Sequence, residues 1–275
     1  MPQTKESSKD KTPGFWSRPG LQKQIVLGLL MAAVVLLLAV FAFYRLEQFL
    51  IRDARFTATA PDGEAGMASL KLRGVTYSSR RVIESMFAED MGRSVYLLPM
   101  MDRRTSLRSV DWVKDAAVAR VWPNQILVRV TERKPVAFVL QQGPAQGQTG
   151  SFLIDEDGVL MRPVKGPRFH LPVLKGIHKD EPTDKKREKV QAMLRLLRDI
   201  GDGADLVSEV DTSDLANLKI TQPWEGRSVT LLMGDQNFSL RYHNFTSHIA
   251  DIRKTLPHTS RLDLRLENEI TAADQ

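Results

Sequence analysis

The chain has 275 residues, 42% of them hydrophobic and 26% charged, which is ordinary for a folded protein with room for one or two domains. It contains no cysteine, which excludes a structural disulfide, a thiolate zinc site and a cysteine nucleophile. The net charge is +6, and residues 1–24 alone carry +3 of it. The +3 on the rest of the chain is too small for the clustered basic face that nucleic-acid binding requires.

The N-terminal sequence predicts a tail followed by a membrane anchor. Residues 1–24 are polar and rich in Lys, Ser, Pro and Gly, which predicts a disordered tail. Residues 25–43 carry no charge, and at ~1.5 Å per residue this run spans ~28 Å, close to the hydrocarbon thickness of a bilayer. We therefore expect a transmembrane helix over residues 25–44, with Tyr44 at the interface.

Two other interpretations of the apolar run are weaker. A cleaved signal peptide would have a shorter apolar region and a small-residue site directly behind it, whereas the small residues at 58–60 lie several charges further on. A buried core helix would show a polar face. Five basic residues precede the span, and only Arg45, Arg52 and Arg55 follow it closely. The positive-inside rule then predicts a cytoplasmic N-terminus with the rest of the chain outside.

The next part of the chain predicts a connector and a small layered domain. Residues 45–67 hold turn residues without periodicity, as a connector would. Residues 68–138 give a strand, two short helices and a hairpin, in the order β-α-α-β-β. The hairpin covers residues 113–133, where apolar residues alternate with polar ones on both sides of a turn at residues 122–125. Two helices on one face of a three-stranded sheet make a compact domain.

Residues 139–268 predict a second domain built from strands and two helices, and residues 269–275 predict a short polar tail. The strand-like runs are residues 135–140, 152–154, 159–161, 207–210, 218–220, 229–233, 238–242 and 262–266, and the helical runs are residues 185–200 and 245–256. Residues 162–182 contain four prolines and predict irregular chain. The whole is an α+β fold whose second domain is dominated by antiparallel pairing.

A sheet of this kind ends in edge strands, whose free N–H and C=O groups another chain can complete. The last predicted strand, residues 262–266, is the natural candidate for such an edge. The other possibility is that this strand is paired on both sides within the sheet and contacts no partner.

No motif in the chain predicts an enzyme. The five histidines lack the i, i+4 pairing with an intervening Glu that a zinc hydrolase uses. Asp155-Glu-Asp-Gly158 predicts a hairpin turn rather than a calcium loop, because no acidic ligand follows at the required distance. A nucleophile elbow, a phosphate-binding loop and a dinucleotide fingerprint are all missing from the sequence. We therefore expect no catalytic residue, cofactor, metal, small-molecule substrate or nucleic-acid partner.

Motifs spread along the chain resemble the FtsQ/DivIB family of bacterial cell-division proteins. They are Leu72-Arg-Gly-Val75, Trp112-Val113, Val118-Ala-Arg-Val-Trp-Pro123, Ile126-Leu-Val-Arg-Val130, Glu132-Arg-Lys-Pro-Val-Ala137, Phe152-Leu-Ile-Asp155 and Leu262-Asp-Leu-Arg-Leu266. The resemblance is firm over residues 70–161 and loose over residues 162–260. The chain departs from the family pattern at Asp111, where the family usually has Pro, and at residues 240–243, which lack the Gly of the family's "v.LG".

The resemblance implies a fold and a function beyond what periodicity indicates. The β-α-α-β-β unit would be a POTRA domain, followed by the family's β-domain. The protein would be a single-pass, non-catalytic component of the divisome in the cell inner membrane, with its domains in the periplasm, and would act at the division septum. It would bind FtsB, itself paired with FtsL, by strand addition. It would thereby help to recruit and control the septal peptidoglycan synthase, FtsW with FtsI, while the POTRA domain would serve recruitment through FtsK.

The same resemblance suggests which residues bind the partner. Arg265 and Leu266 stand at the Arg-Tyr of the family's "iDlRy" strand, and Leu266 lacks the hydroxyl of that Tyr. Asn268 falls at the position of a small polar contact residue. Leu264 and Ile270 complete the predicted partner-binding set.

Two other functional classes fit the sequence less well. A POTRA-containing protein of outer-membrane assembly or secretion usually carries several POTRA repeats or a transmembrane β-barrel, whereas this sequence shows one such unit and no run of alternating ten-residue segments. A membrane-tethered enzyme acting on the cell wall would need a nucleophile or an acid–base pair, and no motif supplies one.

Overall fold

The computed structural model describes residues 19–59, 69–142, 149–164, 166, 168–256, 259–266 and 269–273. Contacts among Cα atoms divide the chain into two compact units. The first unit comprises Met1–Lys71, Phe87–Met101 and Val118–Val128, and the second comprises Leu72–Met86, Asp102–Ala117 and Arg129–Gln275.

The first described element is a long apolar helix, α1 (Pro19–Arg52). Its part from Lys23 to Arg52 is long and apolar enough to cross a membrane, and its side chains are not buried by the protein. Residues 19–24, assigned above to the tail, are therefore helical, and residues 45–52 of the expected connector continue the same helix. The rest of the predicted tail lies outside the described residues.

The predicted β-α-α-β-β order is confirmed. Its elements are β1 (Leu70–Arg73), α2 (Arg80–Ser85), α3 (Met100–Leu107), β2 (Val113–Val121) and β3 (Gln125–Glu132). The three strands form one sheet in the order β1-β3-β2. The Ser79 side chain caps α2 by accepting a hydrogen bond from the N–H of Val82. The hairpin turns between Val121 and Gln125, where the sequence predicts it.

The second sheet has nine strands, and α4 and α5 pack on its core. Its elements are β4 (Pro135–Gln142), β5 (Thr149–Asp155), β6 (Leu160–Met161), β7 (Val173–Lys175), α4 (Thr183–Asp199), β8 (Glu209–Asp211), β9 (Leu218–Trp224), β10 (Arg227–Gly234), α5 (Phe238–Ser247), α6 (Ile249–Thr255), β11 (Arg261–Asp263) and β12 (Thr271–Ala272). The strand order is β12-β11-β10-β9-β8-β7-β4-β5-β6. The predicted α+β class is confirmed, and the buried core includes Met193 of α4 and Phe245 of α5.

The sheet is mixed rather than uniformly antiparallel. The pairings of β4 with β7, β7 with β8 and β10 with β11 are parallel, and the others are antiparallel. The parallel pairings require crossovers. Helix α4 lies between β7 and β8, helices α5 and α6 lie between β10 and β11, and the β5–β6 hairpin lies between β4 and β7. Strand β7 was not predicted, because it lies in a segment whose prolines predicted irregular chain.

The predicted strand at residues 238–242 is wrong, because this segment is the first half of α5. Phe238, Tyr242 and Phe245 are buried at helical spacing, whereas Leu240 is 49% exposed. The apparent alternation of Phe238, Leu240 and Tyr242 therefore did not report a strand. The comparison of residues 240–243 with the family's "v.LG" was misplaced for the same reason, since β10 itself ends in Met233 and Gly234.

Candidate protein-binding surface

The predicted partner-binding residues lie around β11 and differ in accessibility. Leu264 is 2% exposed and belongs to the core, and its N–H donates to the carbonyl of Leu232 at 3.1 Å, which extends the pairing with β10. Leu266 is 55% exposed, and Ile270 is half-buried against the core. Asn268 lies outside the described residues.

Of residues 262–266, which were expected to form a sheet edge, residues 264–266 lie beyond the strand. The expectation is wrong for Leu262 and Asp263, because β11 is paired on both sides. It runs parallel to β10, with Leu231 opposite Leu262, and antiparallel to β12, with Leu262 opposite Ala272. The edge is therefore β12, whose outer side pairs with no strand in the described part of the chain. Strand β12 has only two residues, which are too few for a period-2 pattern, so the sequence did not predict it.

The register of β12 determines which backbone groups face outward. The N–H of Ala273 donates to the carbonyl of Arg261 at 3.0 Å, so these two residues form a hydrogen-bonded pair. Hydrogen-bonded and non-hydrogen-bonded pairs alternate along an antiparallel ladder. Ala272 opposite Leu262 is therefore a non-hydrogen-bonded pair, and the N–H and C=O of Ala272 point away from β11. These are the groups that an added strand would engage.

Arg265 is held by a fork of hydrogen bonds beside this edge. Its Nε donates to Asp263 Oδ1 at 2.9 Å, and its Nη1 donates to Asn217 Oδ1 at 2.8 Å. The hydrogen bond from Arg265 holds the pKa of Asp263 below its ordinary value, although partial burial opposes the shift. The pKa of Arg265 is raised by the same hydrogen bond. Arg265 is therefore preorganised, with 43% of its side chain still exposed.

Arg241 ties helix α5 to the same region of the sheet. Its side chain is buried, with Nη1 donating to the carbonyl of Met233 at 2.6 Å and Nη2 donating to the carbonyl of Arg265 at 3.1 Å. Gly234 makes room for this guanidinium: it has φ +67°, and a Cβ there would lie 2.5 Å from Arg241 Nη1. One buried cation thus joins the end of β10 to the backbone after β11.

A groove of about 390 Å³ runs between the α5–α6 helices and the residues that follow β11 and precede β12. The helices contribute Asn244, His248, Asp251, Ile252 and Thr255, and the strand side contributes Leu264, Leu266, Glu269 and Ile270. The groove has a mixed polar and apolar lining, and Ile270 in this lining directly precedes β12. A helix or strand with one apolar face could pack there.

Sequence reasoning missed the helical wall of this groove. Asn244, His248, Asp251 and Thr255 recur at spacings of three and four, which places them on one side of the α5–α6 segment. The predicted helix at residues 245–256 contained this pattern, but its polar face carried no motif that distinguishes a binding wall from a solvated surface. Within the described ranges, no group of three or more His, Asp or Glu residues could hold a metal ion.

The architecture defines a class: a POTRA-containing protein with one candidate membrane-spanning helix and a mixed β-domain. Residues 67–133 match the model of the POTRA domain, FtsQ-type. Residues 145–265 match the model of Cell division protein FtsQ/DivIB, C-terminal. The chain belongs to the FtsQ/DivIB family of cell division proteins, as its motifs predicted.

Relatives with similar sequences carry the same family name. The Cell division protein FtsQ of Koribacter versatilis is 31% identical over 208 residues, which is 74% of this chain and 58% of the relative. That of Allochromatium vinosum is 26% identical over 163 residues, 59% of this chain and 61% of the relative. That of Syntrophotalea carbinolica is 25% identical over 170 residues, 60% of this chain and 56% of the relative. The chain thus spans about three fifths of the length of these relatives.

Proposed function

We propose that this protein is a non-catalytic, membrane-anchored scaffold of the division machinery. It binds an FtsB-like partner, itself paired with an FtsL-like protein, at the C-terminal end of its nine-stranded sheet. Through this contact it helps to recruit and control septal peptidoglycan synthesis by FtsW and FtsI. The observation that carries the proposal is the open outer edge of β12 beside the groove of α5 and α6.

The edge and the groove suit a partner that supplies both a strand and an apolar face. An added strand gains backbone hydrogen bonds from Ala272, and the adjoining groove supplies side-chain selectivity. Leu266 and Ile270 offer apolar contacts, and Arg265 offers a fixed cation to a partner carboxylate. Leu264 supports the surface from the core, and Asn268 is proposed as a polar contact.

The localisation follows from the charge bias and from α1. Five basic residues precede the apolar run and three follow it closely, which favours a cytoplasmic N-terminus and periplasmic domains. The proposed site is the inner membrane at the division septum. The POTRA domain, proposed to occupy residues 68–138, would serve recruitment through FtsK, while the β-domain at residues 139–268 carries the FtsB-like contact.

Replacing Ala272 by proline tests strand addition directly. Ala272→Pro removes the outward N–H without removing a hydrogen bond to β11, whereas the matched control Ala272→Val keeps the N–H and adds only side-chain volume. A partner carbonyl left without its donor costs about 1–3 kcal/mol. At ~1.4 kcal/mol per tenfold change, we expect an affinity loss of about 5- to 140-fold for Ala272→Pro.

The measurement is binding of a detergent-solubilised FtsB–FtsL pair to the full chain, with thermal unfolding as the check on folding. Equal affinities of the folded proline and valine variants would rule out strand addition at β12. In dividing cells, an N-terminal fluorescent fusion should form a mid-cell band before constriction. An even peripheral signal would argue against septal recruitment.

A further inference from the structure

The first unit carries a high density of exposed apolar side chains. Beyond Leu46, ten large hydrophobic side chains of the described residues are at least 40% exposed. Five of these belong to the first unit, although it is the smaller of the two: Phe49, Leu97, Met101, Val121 and Trp122. Single exposed apolar residues are ordinary on a protein surface, but a concentration of them marks a contact site.

Aromatic contacts connect the end of α1 to the β2–β3 hairpin tip. The rings of Phe49 and Phe56 are 5.6 Å apart and nearly perpendicular, and those of Phe56 and Trp122 are 5.4 Å apart with the same edge-to-face geometry. Trp122 nevertheless leaves 51% of its surface exposed. The hairpin tip is therefore attached to the membrane-side helix and still presents an indole to its surroundings.

Two hydrogen bonds connect the segment between residues 94 and 101 to the end of α1 and to the hairpin. Ser94 Oγ donates to the carbonyl of Leu50 at 2.7 Å, which satisfies a carbonyl in the last turn of α1. Arg120 Nη2 donates to the carbonyl of Leu98, also at 2.7 Å. The segment that carries the exposed side chains of Leu97 and Met101 is thus bonded to both the helix end and the hairpin.

Helix geometry places Phe49 at the outer boundary of the lipid headgroup layer. The apolar run ends at residue 43, and Phe49 follows six residues later, ~9 Å further along the helix axis. A headgroup layer is about 5–8 Å thick on each side of the hydrocarbon core. The N–H of Ile126 donates to the carbonyl of Ser69 at 2.7 Å, so the hairpin tip lies at the end of the sheet where β1 begins.

The charges next to this surface suit an anionic bilayer. Arg45, Phe49 and Arg52 are spaced i, i+4 and i+7, so they share one face of α1. The guanidinium of Arg55 lies 5.3 Å from the centre of the Phe49 ring. Arginine binds phosphate oxygens in a bidentate manner, and tryptophan favours the membrane–water interface.

We propose that Phe49, Leu97, Met101, Val121 and Trp122 form a lipid-contacting surface that holds the first unit against the bilayer. Arg45 and Arg52 contact anionic headgroups beside it. The occupant is the lipid surface into which α1 leads, rather than a protein partner. This inference is independent of which protein binds at β12.

The cysteine-free chain permits a direct test by site-specific labelling. The full chain is reconstituted in nanodiscs of phosphatidylethanolamine and phosphatidylglycerol, with one polarity-sensitive fluorophore on Trp122→Cys or Met101→Cys. The controls are labels on Leu140→Cys and Leu240→Cys, which are about as exposed as Trp122 but belong to the second unit. Lipids with a nitroxide on the headgroup then quench labels that touch the bilayer.

We expect blue-shifted emission and several-fold stronger quenching at Trp122 and Met101 than at the two controls. Equal quenching at all four positions would overturn the proposal. Blue-shifted emission that lipid nitroxides do not quench would also overturn it, because the surface would then be covered by protein. Replacing phosphatidylglycerol by phosphatidylcholine should reduce the quenching at Trp122, and unchanged quenching would refute the role given to the arginines.

Discussion

The carboxylate of Glu132 binds a loop that precedes α2, and its removal should measurably destabilise the second unit. Its oxygens accept hydrogen bonds from the backbone N–H groups of Thr76, Tyr77 and Ser78 at 2.7–3.0 Å, and a very short one from Ser78 Oγ. Partial burial acts to raise the pKa of Glu132, but these four donors outweigh it and hold the pKa below its ordinary value.

Glu132→Gln replaces one accepting oxygen by an NH2 group that faces the same donors. A hydrogen bond to a charged group contributes about 1.5–3 kcal/mol. The remaining amide oxygen still accepts some of these hydrogen bonds, and water can reach the half-buried side chain. We therefore expect a loss of about 2–3 kcal/mol in the free energy of unfolding. For a protein of this size the loss corresponds to a fall in Tm of about 4–12 °C.

The assay is thermal unfolding of the detergent-solubilised full chain as a function of pH. A lowered folded-state pKa contributes stability that is complete above the unfolded pKa and is lost as the pH falls through the folded pKa. The difference in free energy of unfolding between wild type and Glu132→Gln should therefore stay constant down to about pH 5 and decrease below about pH 4. Glu84→Gln, which removes only an exposed i, i+4 pair with Arg80, is the control and should cost less than about 0.5 kcal/mol. A stability difference between wild type and Glu132→Gln that is absent at neutral pH, or that increases in acid, would refute this explanation.

Gly234→Ala should lower the free energy of unfolding by about 2–3 kcal/mol in urea titrations, because it combines a positive φ with displacement of the buried Arg241. Gly92 has a similar φ, but no atom lies within 4 Å of a Cβ added there, so Gly92→Ala should lower the free energy of unfolding by only about 1 kcal/mol. Equal losses for Gly234→Ala and Gly92→Ala would contradict the steric argument. Asp155→Ala should lower the free energy of unfolding by about 3–5 kcal/mol in the same titrations, because it removes the carboxylate that lies 2.6 Å from the half-buried Arg133. A loss below about 1 kcal/mol would contradict this expectation.

The sequence predicts the fold best where local signals agree with tertiary packing. The β2–β3 hairpin and the β5–β6 turn at Asp155 both combine alternating residues with strong turn residues. Prediction failed where short segments depend on distant partners. The three residues of β7 are strand only because β4 and β8 lie on either side. The helix that begins at Phe238 was predicted as a strand because Phe238, Leu240 and Tyr242 alternate with polar residues.

The candidate surface was only partly predictable. The motif near residues 262–266 located the region, and the exposed Leu266 and the half-buried Ile270 lie in it. Strand pairing placed the free edge one strand further on, at β12, and a two-residue strand has no periodicity from which to predict it. The groove depends on how α5 and α6 pack over the sheet, and spatial proximity of this kind is invisible in a single sequence.

The position of β7 constrains the order in which the nine-stranded sheet can assemble. The β4–β5 and β9–β10 hairpins close over short stretches of chain, whereas β7 must meet β4 across 35 residues and β8 across 36. Loop-closure entropy makes such pairings slower than local hairpins. Refolding of the β-domain should therefore proceed from two antiparallel blocks, β4–β6 and β8–β10, which β7 joins later. The blocks would expose unpaired edges until that step, so the chain is most prone to aggregation during the interval before β7 docks.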